Sequence, residues 1–173
     1  MRRTLTLFAA AVLLAACAPV KIPGGATAVA KLEPTTGSSV TGTVFFLQDR
    51  DRVLVSGEVR GLRPNSVHGF HIHEKGDCSS GDGMSAGGHF NPGGQPHGRP
   101  DADAHHAGDL PSLRADASGV ARINSESTAI RVGKGRNDIV GRGLIVHRDP
   151  DDYTTQPTGN SGPRLACAVI QRS

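Results

Sequence analysis

The chain has no tryptophan, one tyrosine and five phenylalanines among its 173 residues. So few rings argue against a base-stacking surface for nucleic acid. A large net charge is missing too. The formal charge is +3, and Arg2 and Arg3 sit in a leader-like segment whose removal lowers it to about +1. Its basic balance therefore does not point to nucleic acid as a partner. No apolar run reaches the roughly 20 residues that span a bilayer core of about 30 Å. The longest, Leu5 to Ala16, falls short of that. No segment carries a convincing helical period, which excludes a helical bundle. Cysteines are scarce as well, at three.

The leader has a layout of its own. Arg2 and Arg3 precede the apolar stretch, which ends in Leu14-Ala15-Ala16-Cys17. A positive start, a short apolar run and small residues form an export signal. Leu-Ala-Ala-Cys resembles a bacterial lipobox, which implies cleavage before Cys17, a lipid on its thiol and a membrane tether. Several acyl chains hold a protein where one would not. The expected organisation is a signal peptide at 1–16, a lipidated flexible tether at 17–26 and one domain at 27–173. The protein is then exported and held at the cell envelope, on the periplasmic or outer surface. With Cys17 lipidated, Cys78 and Cys167 are an even pair in an oxidising compartment and are expected to form a disulfide.

Period-2 patterns rich in β-branched residues predict eight strands: Thr27–Leu32, Val40–Leu47, Arg52–Val59, Val67–His73, Asp109–Ala115, Gly119–Asn124, Leu144–His147 and Leu165–Ile170. Glycine- and proline-rich turns separate them. The fold class is all-β: an eight-stranded antiparallel Greek-key barrel or immunoglobulin-like sandwich. Two long irregular stretches, Glu74 to Gly108 and Arg148 to Pro163, are the loops expected to carry function.

Within about eighty residues stand His71, His73, His89, His97, His106, Asp109 and His147. Imidazole suits copper and zinc alike, and one metal takes only three or four protein ligands. Seven therefore imply two metals, or one metal and several spare groups, and their spacing favours two. His71 and His73, at i and i+2 on a strand, project from one face. His147 ends a later strand that could lie beside them. His89, His97, His106 and Asp109 come from the first loop and the strand after it, and three imidazoles with a carboxylate suit a closed zinc site. His68 and His105 fit neither group; His68 reads as a surface or packing residue of its strand.

Four segments carry a family resemblance: Gly69-Phe70-His71-Ile72-His73-Glu74, Gly88-His89-Phe90-Asn91-Pro92, His106-Ala107-Gly108-Asp109-Leu110, and the run from Gly159 to Cys167. They resemble the copper/zinc superoxide dismutases, in order, over roughly residues 27 to 171. The resemblance implies one copper and one zinc ion per chain and superoxide as the substrate. His71, His73, His89 and His147 would hold copper. His89 would bridge to zinc, which His97, His106 and Asp109 complete. Asp151 would link the imidazoles of His71 and His97. Arg164 would stand beside the open copper position and attract the anion, with His89 passing a proton to the product. The Cys78–Cys167 disulfide would brace both the arginine and the ligand-bearing loop. The second loop departs from the better-known eukaryotic members: it is shorter, acidic at Asp149, Asp151 and Asp152, and has no lysine before Arg164. Steering of the anion falls to Lys75, Arg99 or Arg148, or is weaker, and a homodimer is left open. A second reading is a copper/zinc carrier or buffer domain on the same scaffold, since fold alone does not fix function.

Overall fold

The computed structural model describes residues 25–173. The expected signal peptide, Cys17 and the tether up to residue 24 lie outside the described residues. Among the described residues ten strands form: β1 (Thr27–Pro34), β2 (Thr41–Asp49), β3 (Arg52–Arg60), β4 (Val67–His68), β5 (Phe70–His73), β6 (Leu113–Arg114), β7 (Ala121–Ser127), β8 (Gly143–His147), β9 (Arg164–Val169) and β10 (Gln171–Arg172). One short 3₁₀ turn, Met84–Ala86, interrupts the first long loop. The main sheet runs β5-β8-β9-β1-β2-β3-β7, with β10 on β1, and every pair in it is antiparallel.

β1 sits at the bend of this curled sheet. Its first half pairs with β10, Ala28 opposite Arg172, while its end pairs with β9, Glu33 opposite Cys167. Ala28, Ala30, Leu32, Val44, Phe46, Val53, Val55, Val59, Ala121 and Ile123 are buried on one side of β1, β2, β3 and β7. Alternate residues of those strands face outward, as period-2 patterning requires. The sheet curls over this core, into which β5 and β8 send Phe70, Ile72, Leu144 and Val146.

Two expected strands are broken. Val67–His73 splits at Gly69 because its halves have different partners. β4 pairs with β6, whereas β5 pairs with β8, and the Gly69 amide bonds Asp149 O instead. Asp109–Ala115 is interrupted likewise. Asp109 bridges His71, while only Leu113–Arg114 forms a strand; Pro111 between them lacks an amide hydrogen for any ladder. The remaining boundaries agree to within three residues.

The free edge of β5 is closed by the first long loop. The Ile72 amide donates to Gly108 O, the Phe90 amide to Ile72 O, the Glu74 amide to Gly88 O and the Leu110 amide to Phe70 O. A bare edge is thereby satisfied. Close backbone approach is needed at Gly108, where a Cβ would sit 2.2 Å from Ile72 O. Ligand candidates thus arrive on a segment bonded to the strand that carries His71 and His73. Cys78 and Cys167 are joined, with Cα atoms 5.8 Å apart, tying the same loop to β9.

Candidate metal centre

The seven ligand candidates come together as two groups. One donor atom from each of His71, His73, His89 and His147 lies within 4.8 Å of the others, and the same holds for His89, His97, His106 and Asp109. His89 belongs to both. All seven are buried. β5 supplies His71 and His73, β8 ends on His147, and the first loop with the segment after it supplies the rest.

Outward hydrogen bonds fix which ring nitrogen faces inward. His71 Nε2 bonds Asp151 Oδ2 at 2.7 Å, and His97 Nε2 bonds Asp151 Oδ1 at 2.9 Å. His73 Nδ1–H donates to Gly87 O at 2.9 Å and His147 Nδ1–H to Gly162 O at 3.1 Å. A carbonyl accepts only, so His73 and His147 carry their protons on Nδ1 and turn the Nε2 lone pair inward. Those two Nε2 atoms face each other at 3.4 Å. His71 Nδ1 and His89 Nε2 are buried without any partner. In the second group, Asp109 Oδ1 lies 2.9 Å from His89 Nδ1 and 3.1 Å from His97 Nδ1, while His106 Nδ1 is 3.3 Å from His89 Nδ1.

Such an inward convergence of lone pairs is costly unless a cation sits among them. Four imidazole nitrogens suit copper, and three with a carboxylate suit zinc, so the donors present fit both ions. Protonation agrees. Burial, helped by neighbouring imidazoles, pushes His73 and His147 well below the ordinary histidine value. Burial also lowers His71, against the pull of Asp151, and lowers His89 to about 4, against the pull of Asp109. The first group is therefore neutral and free to coordinate at neutral pH. Burial disfavours charge on Asp109 and Asp151, yet hydrogen bonds from the histidines outweigh it and hold both carboxyls far below the usual range. Burial disfavours charge on His97 too, but its bonds to Asp109 and Asp151 outweigh that and raise it to about 9.

Asp151 also accepts the Tyr153 amide at 2.7 Å. Space for it depends on Gly159, where a Cβ would meet Asp151 Oδ1 at 1.9 Å and φ is +67°. Arg164 lies across from His147 at the irregular end of the β8–β9 pair. Its guanidinium donates to Gly83 O at 2.5 Å and Gly87 O at 2.6 Å. Gly87 O thus receives both Arg164 and His73. Of the candidate steering residues, Arg99 pairs with Asp101 and Arg148 with Asp149.

Two contributors escaped the sequence reading. His68, taken there for a surface or packing residue, is buried and bonds His147 O at 2.9 Å and Ser66 Oγ at 2.6 Å. It fixes the backbone that carries His147. Gln156 accepts the His97 amide at 2.8 Å and donates to His97 O at 2.9 Å, joining the two long loops. Neither residue stands in a recognisable motif. The only signal for His68 was its place before Gly69, where the strand breaks.

A curled antiparallel β-sheet whose long loops complete two histidine-rich donor groups defines a dinuclear metalloprotein of the Greek-key class. Residues 40–170 match the family described as copper/zinc superoxide dismutase (SODC). The chain is 41% identical over 150 residues to the superoxide dismutase [Cu-Zn] of Paramecium bursaria Chlorella virus 1, covering 83% of this chain and 77% of that one. It is 40% identical over 154 residues to the extracellular superoxide dismutase [Cu-Zn] of Brugia pahangi, covering 84% and 75%. Among solved structures it superposes on that titled "Crystal Structure Analysis of the clock protein EA4". The TM-score is 0.77 at 38% identity, over 85% of this chain and 94% of the other. The chain belongs to the copper/zinc superoxide dismutase family.

Proposed function

We propose that the protein is a copper/zinc superoxide dismutase, exported and held at the bacterial cell envelope by a lipid on Cys17. The observation that carries the activity is His89. Its Nε2 is a buried, unpartnered atom of one donor group, while its Nδ1 lies against Asp109 in the other. His71, His73, His89 and His147 would hold copper, and His89, His97, His106 and Asp109 would hold zinc. When bound, copper supplies one-electron chemistry, by which one superoxide is oxidised to dioxygen and a second is reduced, with two protons, to hydrogen peroxide.

The chain's own groups do the rest. Arg164, half-buried and held by two backbone carbonyls, presents a fixed cation beside His73 and His147 to a small anion. His89 holds and hands on a proton at Nε2, while Asp109 and its zinc-side neighbours keep the ring in place. Asp151 couples the two groups by orienting His71 and His97. With Arg99 and Arg148 each tied to an aspartate, steering from a distance is weaker than in a relative with free lysines in the second loop, and it falls to Arg164 and Lys75.

Export and anchoring rest on the leader, on the Leu-Ala-Ala-Cys sequence and on a disulfide suited to an oxidising compartment. The domain begins after a tether at 17–26. Metal analysis joined to superoxide consumption tests the activity. Near one copper and one zinc per chain, with turnover lost on copper removal and regained on its return, is expected. Both metals bound without turnover would instead identify a metal carrier. Fractionation of cells tests the anchor: the wild type belongs in the membrane fraction, and Cys17→Ser should abolish lipid attachment.

A further inference from the structure

At the end of the barrel where the chain enters, four cations gather. Arg50 tips the β2–β3 hairpin. Arg131 and Lys134 lie in the segment before β8, beside Ala26 and Gln48. Arg172, on β10, lies opposite Ala28, and its guanidinium is 3.4 Å from Gly133 O. Arg50, Lys134 and Arg172 are exposed. The ion pairs of this end belong to a different residue, Arg52, which takes up Asp49 and Glu126. Arg131 donates instead to the carbonyls of Thr128 and Ile130. Asp51 lies on the same hairpin, and Asp138 accepts the amides of Gly133 and Val140. Among the described residues, none of the four cations pairs with a carboxylate.

We propose that this basic end is a docking surface for anionic phospholipid headgroups. The proposal rests on the anchoring at Cys17 set out above. Residues 17–24 span at most about 28 Å when fully extended, and less otherwise. So short a tether holds the Ala26 end of the barrel near the bilayer surface, where basic side chains meet phosphate charge.

Docking also sets the orientation. β1 runs from this end to Pro34, where Thr35 Oγ1 donates to Arg164 O at 2.6 Å. β9 and β10 run back beside it, from Arg164 to Arg172. Arg164 and Arg172 therefore mark opposite ends of the barrel, roughly 26 Å apart at the rise of a strand. A domain seated by Arg50, Lys134 and Arg172 turns Arg164 away from the membrane. The anionic surface, which repels superoxide, is then kept off its approach.

The test separates the surface from the lipid. The metal-loaded chain from residue 17 onward, carrying Cys17→Ser, is sedimented with vesicles of phosphatidylcholine alone or mixed two to one with phosphatidylglycerol. Binding to the mixed vesicles, lost at high salt and absent for phosphatidylcholine alone, is expected. Each cation removed should lower partitioning roughly fivefold, about 1 kcal/mol. Arg50→Gln with Lys134→Gln should therefore cost about 25-fold and leave superoxide consumption unchanged. Failure to bind the mixed vesicles, or equal binding by the double variant, overturns the docking surface even if wild-type protein is membrane-bound in cells. Charge-dependent vesicle binding supports it even if wild-type protein fractionates as soluble, a result that overturns only the anchor.

Discussion

One part of the sheet, β1, β2, β3 and β7, alternates between core and solvent; the other, β5 and β8, is buried on every residue. Both are antiparallel and share one core. They differ in what covers the outer face. On β2, Phe45 is 52% exposed, and nothing in the fold needs to shield it. On β5 and β8 the outward residues are His71, His73, Ile145 and His147. The two long loops and the disulfide cover them. A stable sheet needs one buried face; burying the second takes polar groups out of water and must be offset by bonds to each. The structure meets that demand with Asp151, Gly87 O and Gly162 O, and leaves His71 Nδ1 and His89 Nε2 unmet. Both unmet atoms belong to the donor group of His71, His73, His89 and His147, where the proposed copper would satisfy them.

The comparison breaks most sharply at His89. In His89→Ala the two donor groups no longer share a ring, and superoxide consumption should fall at least a hundredfold while the main sheet stays folded. Near-full turnover in a metal-loaded preparation would end the bridging assignment. The opposite dissociation is expected in the plain part. Phe46 is 1% exposed in the main core, and Phe46→Ala should destabilise the fold by about 3–5 kcal/mol. Metal stoichiometry of the protein that remains folded should not change. A Phe46→Ala protein of wild-type stability, by denaturant titration, would mean that the core relies on the metal loops more than its packing implies.

The plain part was also the more legible in sequence. Its strands obey period 2, so Thr27–Leu32, Val40–Leu47 and Arg52–Val59 came within one or two residues of β1, β2 and β3. The disulfide followed from cysteine count and compartment, and the structure contains it. The metal part was legible in its chemistry and less so in its backbone. Seven ligand-type residues stood out by kind and spacing, yet Val67–His73 and Asp109–Ala115 were each read as one strand. Period 2 gives no sign that a strand changes partner midway, as happens at Gly69 and around Pro111. His68 and Gln156 were missed for a related reason. Each acts on a backbone far away in sequence, His68 on His147 O and Gln156 on His97, and no local pattern encodes such a contact. Strand position already put His147 beside His71 and His73, and donor type already put His89, His97, His106 and Asp109 in one zinc set. That His89 belongs to both sets came only from the family resemblance.

Asp151 offers a subtler cut through the metal part. Asp151→Asn keeps the shape but replaces a carboxylate that accepts from two imidazoles by an amide with one acceptor oxygen. Losing such an outer partner typically costs 10- to 100-fold in metal affinity. The loss should fall on both groups, through His71 and His97, and competition against chelators for each metal would measure it. An effect confined to a single metal would show that Asp151 does not couple the two groups.

The smallest expected effect lies in the hairpin before β7, remote from both donor groups. Asp116 accepts the amides of Ser118 and Val120 and the Ser118 hydroxyl. These bonds, the Ser118 hydroxyl foremost, hold its carboxyl down to about 2, against about 3.9 in an unfolded chain. A folded pKa below the unfolded one gives stability that is present above about pH 4 and is lost as pH falls toward 2. Asp116→Asn removes that ionisation. The variant should be slightly less stable than wild type at pH 7, and the gap should close between pH 4 and 2. Thermal unfolding of both proteins across that window reads it directly. A gap that instead widened on acidification would show that the neutral carboxyl, not the carboxylate, is the better partner in this turn.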